Sequence, residues 1–284
     1  MHLQFLASRV ARGLAAAIVF VGLAMQAAAA EQMVFAGQTL NIEPPAGYCA
    51  LDRSRAAEAS LLAAQEGAQR DANRIALAFV ECNDLAKARQ SGTYDLAAYG
   101  MVLVPLQHGD VVKYTGSRSG FVAEAAAHFG DFDADKAIET AKARIKESGV
   151  TVTGVRMLGV LAKDDAALYL GVTLDGVADA SGGSPRRVLG IVAFTLVNEI
   201  AVSINIYQAG ASEDAIPAMI AQDKANVAAL IAANANLEAE SRRWVVMGID
   251  LSGVARAALM GAAAGALVGA VLFLLKRLRK GGTG

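Results

Sequence analysis

Cys49 and Cys82 are the only cysteines in the 284-residue chain, and they offer two chemistries. Paired, they make one disulfide, the ordinary use of an even cysteine count in an exported protein. The bridge would close a loop of about 34 residues and contribute about 3 kcal/mol by restricting the unfolded chain. It would pin the Gly47-Tyr48-Cys49 turn to the end of the second expected strand. Free, Cys49 could serve as a nucleophile, with Asp52 and His108 or His128 as helpers. No cysteine-hydrolase motif surrounds it, and an exported thiol tends to be oxidised, so the disulfide is the expectation.

Other chemistry-bearing residues form no constellation. Neither His108 nor His128 has a second His or a Cys at metal-ligand spacing, so both read as surface histidines and no metal site is expected. Gly116-Ser117-Arg118-Ser119-Gly120 places arginine where a hydrolase elbow needs its serine, and reads as a flexible loop. Asp131, Asp133 and Asp135 alternate as calcium ligands do. The Gly and terminal Glu of an EF-hand loop are missing, and capping of a following helix accounts for Asp133 and Asp135. Asp164-Asp165 fits a turn between strands. Glycine-rich phosphate loops are absent from the sequence, and no cofactor is expected.

Charge is distributed unevenly. All 27 acidic residues lie within 31–250, while seven of the 26 basic residues lie outside it, which leaves that stretch with an excess of eight negative charges. Such a surface gains nothing from a phosphate backbone, so nucleic acid is excluded as a partner.

The two ends read as membrane-directed. Residues 1–30 have a signal peptide's order: Arg9 and Arg12, an apolar run over 14–25, then Ala28-Ala29-Ala30 before Glu31. An uncleaved N-terminal anchor is the alternative. Residues 257–275 carry no charge, and at about 1.5 Å per residue they reach roughly 28 Å, a bilayer's hydrocarbon thickness. Lys276, Arg277, Arg279 and Lys280 follow, which by the positive-inside rule keeps that end cytoplasmic. Gly261, Gly265 and Gly269 form a glycine zipper on one face of this expected span, suited to self-association or a partner helix; an Ala/Gly-rich span also produces such spacing by chance. Trp244, the only tryptophan, belongs either at the membrane interface or in the globular domain. The tail is alternatively a sorting signal removed after export.

These candidates must be held by the elements between the two ends. Period-two or continuous apolar runs predict strands over 33–42, 74–81, 99–106, 150–162, 166–174, 187–197 and 200–208. Helical spacing predicts helices over 54–72, 84–89, 133–148 and 216–234, the last with Ile220, Val227 and Ile231 on its apolar face. Asn198-Glu199 reads as a tight hairpin turn, and 175–187 as a mobile loop. Consecutive strands with short connections imply an α+β fold, a mainly antiparallel sheet flanked by helices in an α/β/α sandwich, plus one C-terminal transmembrane helix. The expected organisation is a signal peptide over 1–30, a globular domain over 31–236, a juxtamembrane linker over 237–256, a span over 257–275 and a basic tail over 276–284.

The opening Gly37-Gln38-Thr39-Leu40-Asn41-Ile42 with Pro45-Ala46-Gly47-Tyr48 resembles the start of the PsbP-like α/β/α fold. So does the late hairpin through Ile204-Asn205-Ile206-Tyr207, with a terminal helix closing on Leu230-Ile231-Ala232-Ala233-Asn234. The resemblance covers about 31–236. It implies a family with many non-catalytic accessory members and carries over no site residue. With an expected anchor, a glycine stripe on it and no catalytic constellation, the expected function is a non-catalytic, membrane-tethered periplasmic domain. It would be single-pass in a bacterial inner membrane with its C-terminus cytoplasmic, and would serve as an accessory or binding component of an envelope complex. The alternatives are an envelope hydrolase or thiol enzyme, and a carrier of a small ligand or lipid in an apolar pocket.

Overall fold

The structure, a computed structural model, describes residues 31–69, 72–107, 109–111, 113–129, 150–179 and 184–241, with 135, 138–139 and 141–143. Residues 33–42, expected as one strand, belong to two. Strands β1 (Glu31–Phe35) and β2 (Gln38–Ile42) pair antiparallel around Ala36-Gly37. Both turn residues have positive φ, 48° and 78°, as the two-residue turns that match strand twist require. Met33-Val34-Phe35-Ala36 is one continuous apolar run that leads into the turn, so hydropathy alone does not mark it.

The main sheet has nine strands. They are β3 (Tyr48–Ala50), β4 (Asn73–Glu81), β5 (Ala98–Gln107), β6 (Asp110–Val111), β7 (Val150–Thr151), β8 (Gly154–Lys163), β9 (Leu168–Asp179), β10 (Arg186–Val197) and β11 (Ile200–Ala209). Their order is β3-β4-β5-β11-β10-β9, with β7 and β8 both paired to β9 and β6 to β5, every pairing antiparallel. The Asn198-Glu199 turn joins β10 to β11 with φ of 47° and 65°, in agreement with the sequence. Strand β9 runs to Asp179 and takes up the first five residues of what reads as a loop over 175–187.

Helices cover both faces. On one lie α1 (Ala56–Gln69), α2 (Cys82–Ser91) and α3 (Arg118–Phe129), whose Leu61, Leu62, Leu85, Phe121 and Val122 pack against Met101, Leu103, Val192 and Phe194. The 116–120 segment is thus no free loop. Ser117 accepts the Gly120 amide proton at 3.0 Å and caps α3, and Arg118 donates to the Leu196 carbonyl at 2.7 Å. The opposite face carries the β1–β2 hairpin and α4 (Ile216–Ser241), over Ile191, Val202, Ile204 and Ile206. An α+β fold with an antiparallel sheet between helical layers is what the sequence implies.

The hairpin and α4 are clasped by two asparagines. The Asn41 amide donates to Asn234 Oδ1 at 2.8 Å, Asn234 Nδ2 donates back to the Asn41 carbonyl at 2.9 Å, and Asn41 Nδ2 donates to the Ala233 carbonyl at 3.0 Å. Asn234 is fully buried. Asn234→Leu leaves the Asn41 backbone groups unmet and is expected to lower stability by about 2–3 kcal/mol, read from a urea midpoint. Retained stability would show the clasp to be ornamental.

The membrane-anchored architecture is corrected. Among the described residues no helix is long and apolar enough to cross a membrane. Helix α4 has 26 residues, but its face on the sheet includes Asp223, Asn226 and Asn234, polar groups that lipid would not tolerate. The span read over 257–275, its glycines Gly261, Gly265 and Gly269, Trp244 and the Lys276, Arg277, Arg279, Lys280 flank lie outside the described residues, as does the signal peptide over 1–30. Membrane tethering, inner-membrane and periplasmic placement and partnering through a span therefore have no support in the structure.

Candidate functional site

Strand β11 reads Ile-Ala-Val-Ser-Ile-Asn-Ile-Tyr-Gln-Ala. Successive side chains of a strand point to opposite faces, so Ile200, Val202, Ile204 and Ile206 share one face and Ala201, Ser203, Asn205 and Tyr207 the other. The polar set does not face water. Ser203, Asn205 and Tyr207 are each completely buried on the α1–α3 side. Register fixes their neighbours. Ser203 lies between Leu103 and Phe194, Asn205 between Met101 and Val192, and Tyr207 between Tyr99 and Gly190.

In this ladder Ser203 Oγ has no hydrogen-bond partner among the described residues; the Asn205 amide and the Tyr207 hydroxyl have none of good geometry and only each other within reach. Tyr207 stacks on Tyr99 with ring centroids 5.2 Å apart. Its ring also lies across Gly190, where a Cβ would come within 2.8 Å of it, so glycine at 190 makes its room. Burial pushes the Tyr207 phenol far up, against a weaker opposing hydrogen bond from the Asn205 side chain. The hydroxyl therefore stays protonated and can donate. The ladder offers a hydroxyl, both ends of an amide and a phenol, all uncharged, in a layer walled by apolar side chains.

A second polar group in this layer is already satisfied. Glu58, fully buried on α1, accepts both arms of the Arg89 fork at 2.8 and 2.9 Å, the Asp52 amide at 2.7 Å and the Tyr94 hydroxyl at 3.1 Å. Burial alone would raise its pKa. The hydrogen bonds of Arg89, Asp52 and Tyr94 outweigh it and hold the carboxyl below its ordinary value. Such a group is spent on structure.

The sequence candidates fall into place around this. Cys49 and Cys82 are joined, with Cα atoms 5.0 Å apart, tying β3 to the first residue of α2. A sulfur in a disulfide is not a nucleophile, so the thiol-enzyme reading is overturned. Asp52 accepts from Ser54 and caps its own turn. His128 sits in the last turn of α3. His108, Asp131 and Asp133 lie outside the described residues; Asp135 is exposed. Asp164 accepts the Ala166 and Ala167 amides and makes the β8–β9 turn. No group of three metal-ligating side chains occurs among the described residues.

The ladder was legible only in part. Alternation on β11 alone marks Ser203, Asn205 and Tyr207 as solvent-facing. Read with β5 and β10, whose residues for the same layer are apolar, the polar set stands out as misplaced. No protein-family model matches the chain, and neither does any curated protein or solved structure.

Proposed function

We propose that the domain binds a compact, uncharged polar molecule in the layer between the sheet and α1–α3, through Ser203, Asn205 and Tyr207. One observation carries the reading: a hydroxyl, an amide and a phenol on one strand, completely buried, met among the described residues by no more than a poorly aligned contact between Asn205 and Tyr207. Each such group left unmet costs about 1–3 kcal/mol. A ladder so poorly met costs a sizeable part of the roughly 5–15 kcal/mol that holds a domain folded. A chain keeps such a load where something else meets those groups. No charged side chain among the described residues hydrogen-bonds to the ladder, so a charged guest would be desolvated without compensation.

This differs from the apolar pocket for a lipid or small ligand that the sequence suggests, because the recognition elements are hydrogen-bonding groups. The PsbP-like reading of the fold remains a proposal. It is supported by the α/β/α layering and by the clasp between Asn41 and Asn234, which joins the two segments that carry the resemblance.

The test is mass spectrometry of small molecules released when the purified full chain is denatured, set beside an Asn205→Leu variant. Wild type is expected to release one neutral species at near-stoichiometric yield, and Asn205→Leu to release none while remaining folded. Release of nothing but solvent by wild type, with Asn205→Leu simply more stable, would end the proposal.

A further inference from the structure

Helix α4 lies on the sheet through Met219, Asp223, Val227, Leu230 and Asn234, all but one completely or nearly completely buried at 1% or less, Leu230 at 7%. Asp223 occupies the centre of this stripe, where a helix packed on β10 ordinarily carries an apolar residue. It has no cation. Lys224, next in sequence, turns instead to Asp164 at 3.1 Å and lies 5.4 Å from the centre of the Tyr169 ring. Asn226 Nδ2 reaches Asp223 Oδ1 at only 3.5 Å, and Oδ2 has no partner among the described residues. A carboxylate in this setting is uncompensated charge; a neutral carboxylic acid is tolerable.

We propose that α4 docks on the sheet with Asp223 as the neutral acid, so that its ionisation loosens the helix and makes α4 a pH-responsive element of the fold. The groups that face Asp223 support this. Tyr169 on β9 and Tyr48 on β3, both on the α4 side of the sheet, are phenols, and they add no positive charge. Asp164 at the β8–β9 turn is already matched by Lys224. Burial drives the Asp223 carboxyl well above its ordinary value, against weaker opposing hydrogen bonds from Asn226 and the Ala193 backbone.

The sign follows by linkage. With α4 undocked, Asp223 is an ordinary aspartate that ionises near pH 4, while docked it keeps its proton to higher pH. Between those two values the docked state binds the extra proton. Docking is therefore fully favoured below about pH 4, and the undocking equilibrium rises about tenfold per pH unit until the docked group itself ionises. Nothing in this device depends on the interior ligand.

Amide hydrogen exchange over α4 tests it, on the full chain at pH 5 and pH 8, corrected for the intrinsic rate at each pH. Wild type is expected to lose at least tenfold protection over 216–234 at the higher pH. Asp223→Asn, which keeps the shape and cannot ionise, is expected to give equal protection at both, as is Asp223→Leu, which completes the apolar stripe. A wild-type loss of protection that persists in both variants would overturn the proposal. So would failure of both variants to fold, since that would make the charge itself a structural requirement.

Discussion

Arg89→Ala is expected to lower stability by about 3 kcal/mol, the lower end of the range for breaking a buried ion pair. Glu58 has no exposed surface at all, and Arg89 supplies two of the four hydrogen bonds it accepts. Removing the guanidinium strands a carboxylate beside Leu61 and Leu62. The lower end applies because Arg89 keeps about a third of its side chain, 31%, in solvent, and water can partly replace it. The pair also shapes the acid limb. Glu58 titrates below its ordinary value when folded, so its contribution is complete above about pH 4.3 and is lost as pH falls through the lower folded value. Arg89→Ala should therefore flatten the stability profile below pH 4.3 as well as lower it. Glu58→Leu combined with Arg89→Leu is expected to recover most of the loss, because no charge is left buried. Urea unfolding from pH 3 to pH 7 measures all three chains. A double variant as unstable as the single one would mean that Glu58 acts through something other than its charge.

Cys49→Ser with Cys82→Ser is expected to remove about 3–4 kcal/mol, the chain-entropy value for a closed loop of this size. The sequence separation is 33, and the loop holds α1 and β4 complete. The bridge matters locally because β3 is a three-residue edge strand paired only to β4. Without the bridge, β3 is held by few backbone hydrogen bonds and by Tyr48 packed edge-on against Phe79 at 5.2 Å. Thermal melts with and without reductant give the loss, and hydrogen exchange at 48–50 places it. Wild type under strong reductant should match the double serine variant. A melt unchanged by reduction would show that the loop is closed as firmly by packing.

The sequence showed most of the sheet and little of the interior site, and the difference has a physical origin. Strands β4, β5, β10 and β11 are long apolar runs with tight connections, and their limits agree with the readings over 74–81, 99–106, 187–197 and 200–208 to within about two residues. The disulfide was legible because two cysteines allow one pairing. Helix α3 was hidden by the Gly116 and Gly120 that flank its start. The α4 stripe was read one position off. Ile220 and Ile231 are only partly buried, while Met219 and Asp223 lie inside, because hydropathy places an aspartate outside when no partner element is known. Ser203, Asn205 and Tyr207 fail for the same reason. A single strand's alternation cannot tell a polar face that meets water from one that a helical layer covers. Only register, which pairs Asn205 with Met101 and Val192, exposes the conflict between residue type and environment. Such conflicts mark the places where a sequence serves something besides folding.

The most direct measurement of the interior-site account is electron density from crystals of the full chain at atomic resolution, inspected around Ser203 Oγ, the Asn205 amide and the Tyr207 hydroxyl. The account predicts a continuous, polyatomic, uncharged molecule within hydrogen-bond distance of at least two of these residues, and its loss in Asn205→Leu. Isolated water peaks alone, or side chains rotated to satisfy one another, would contradict it.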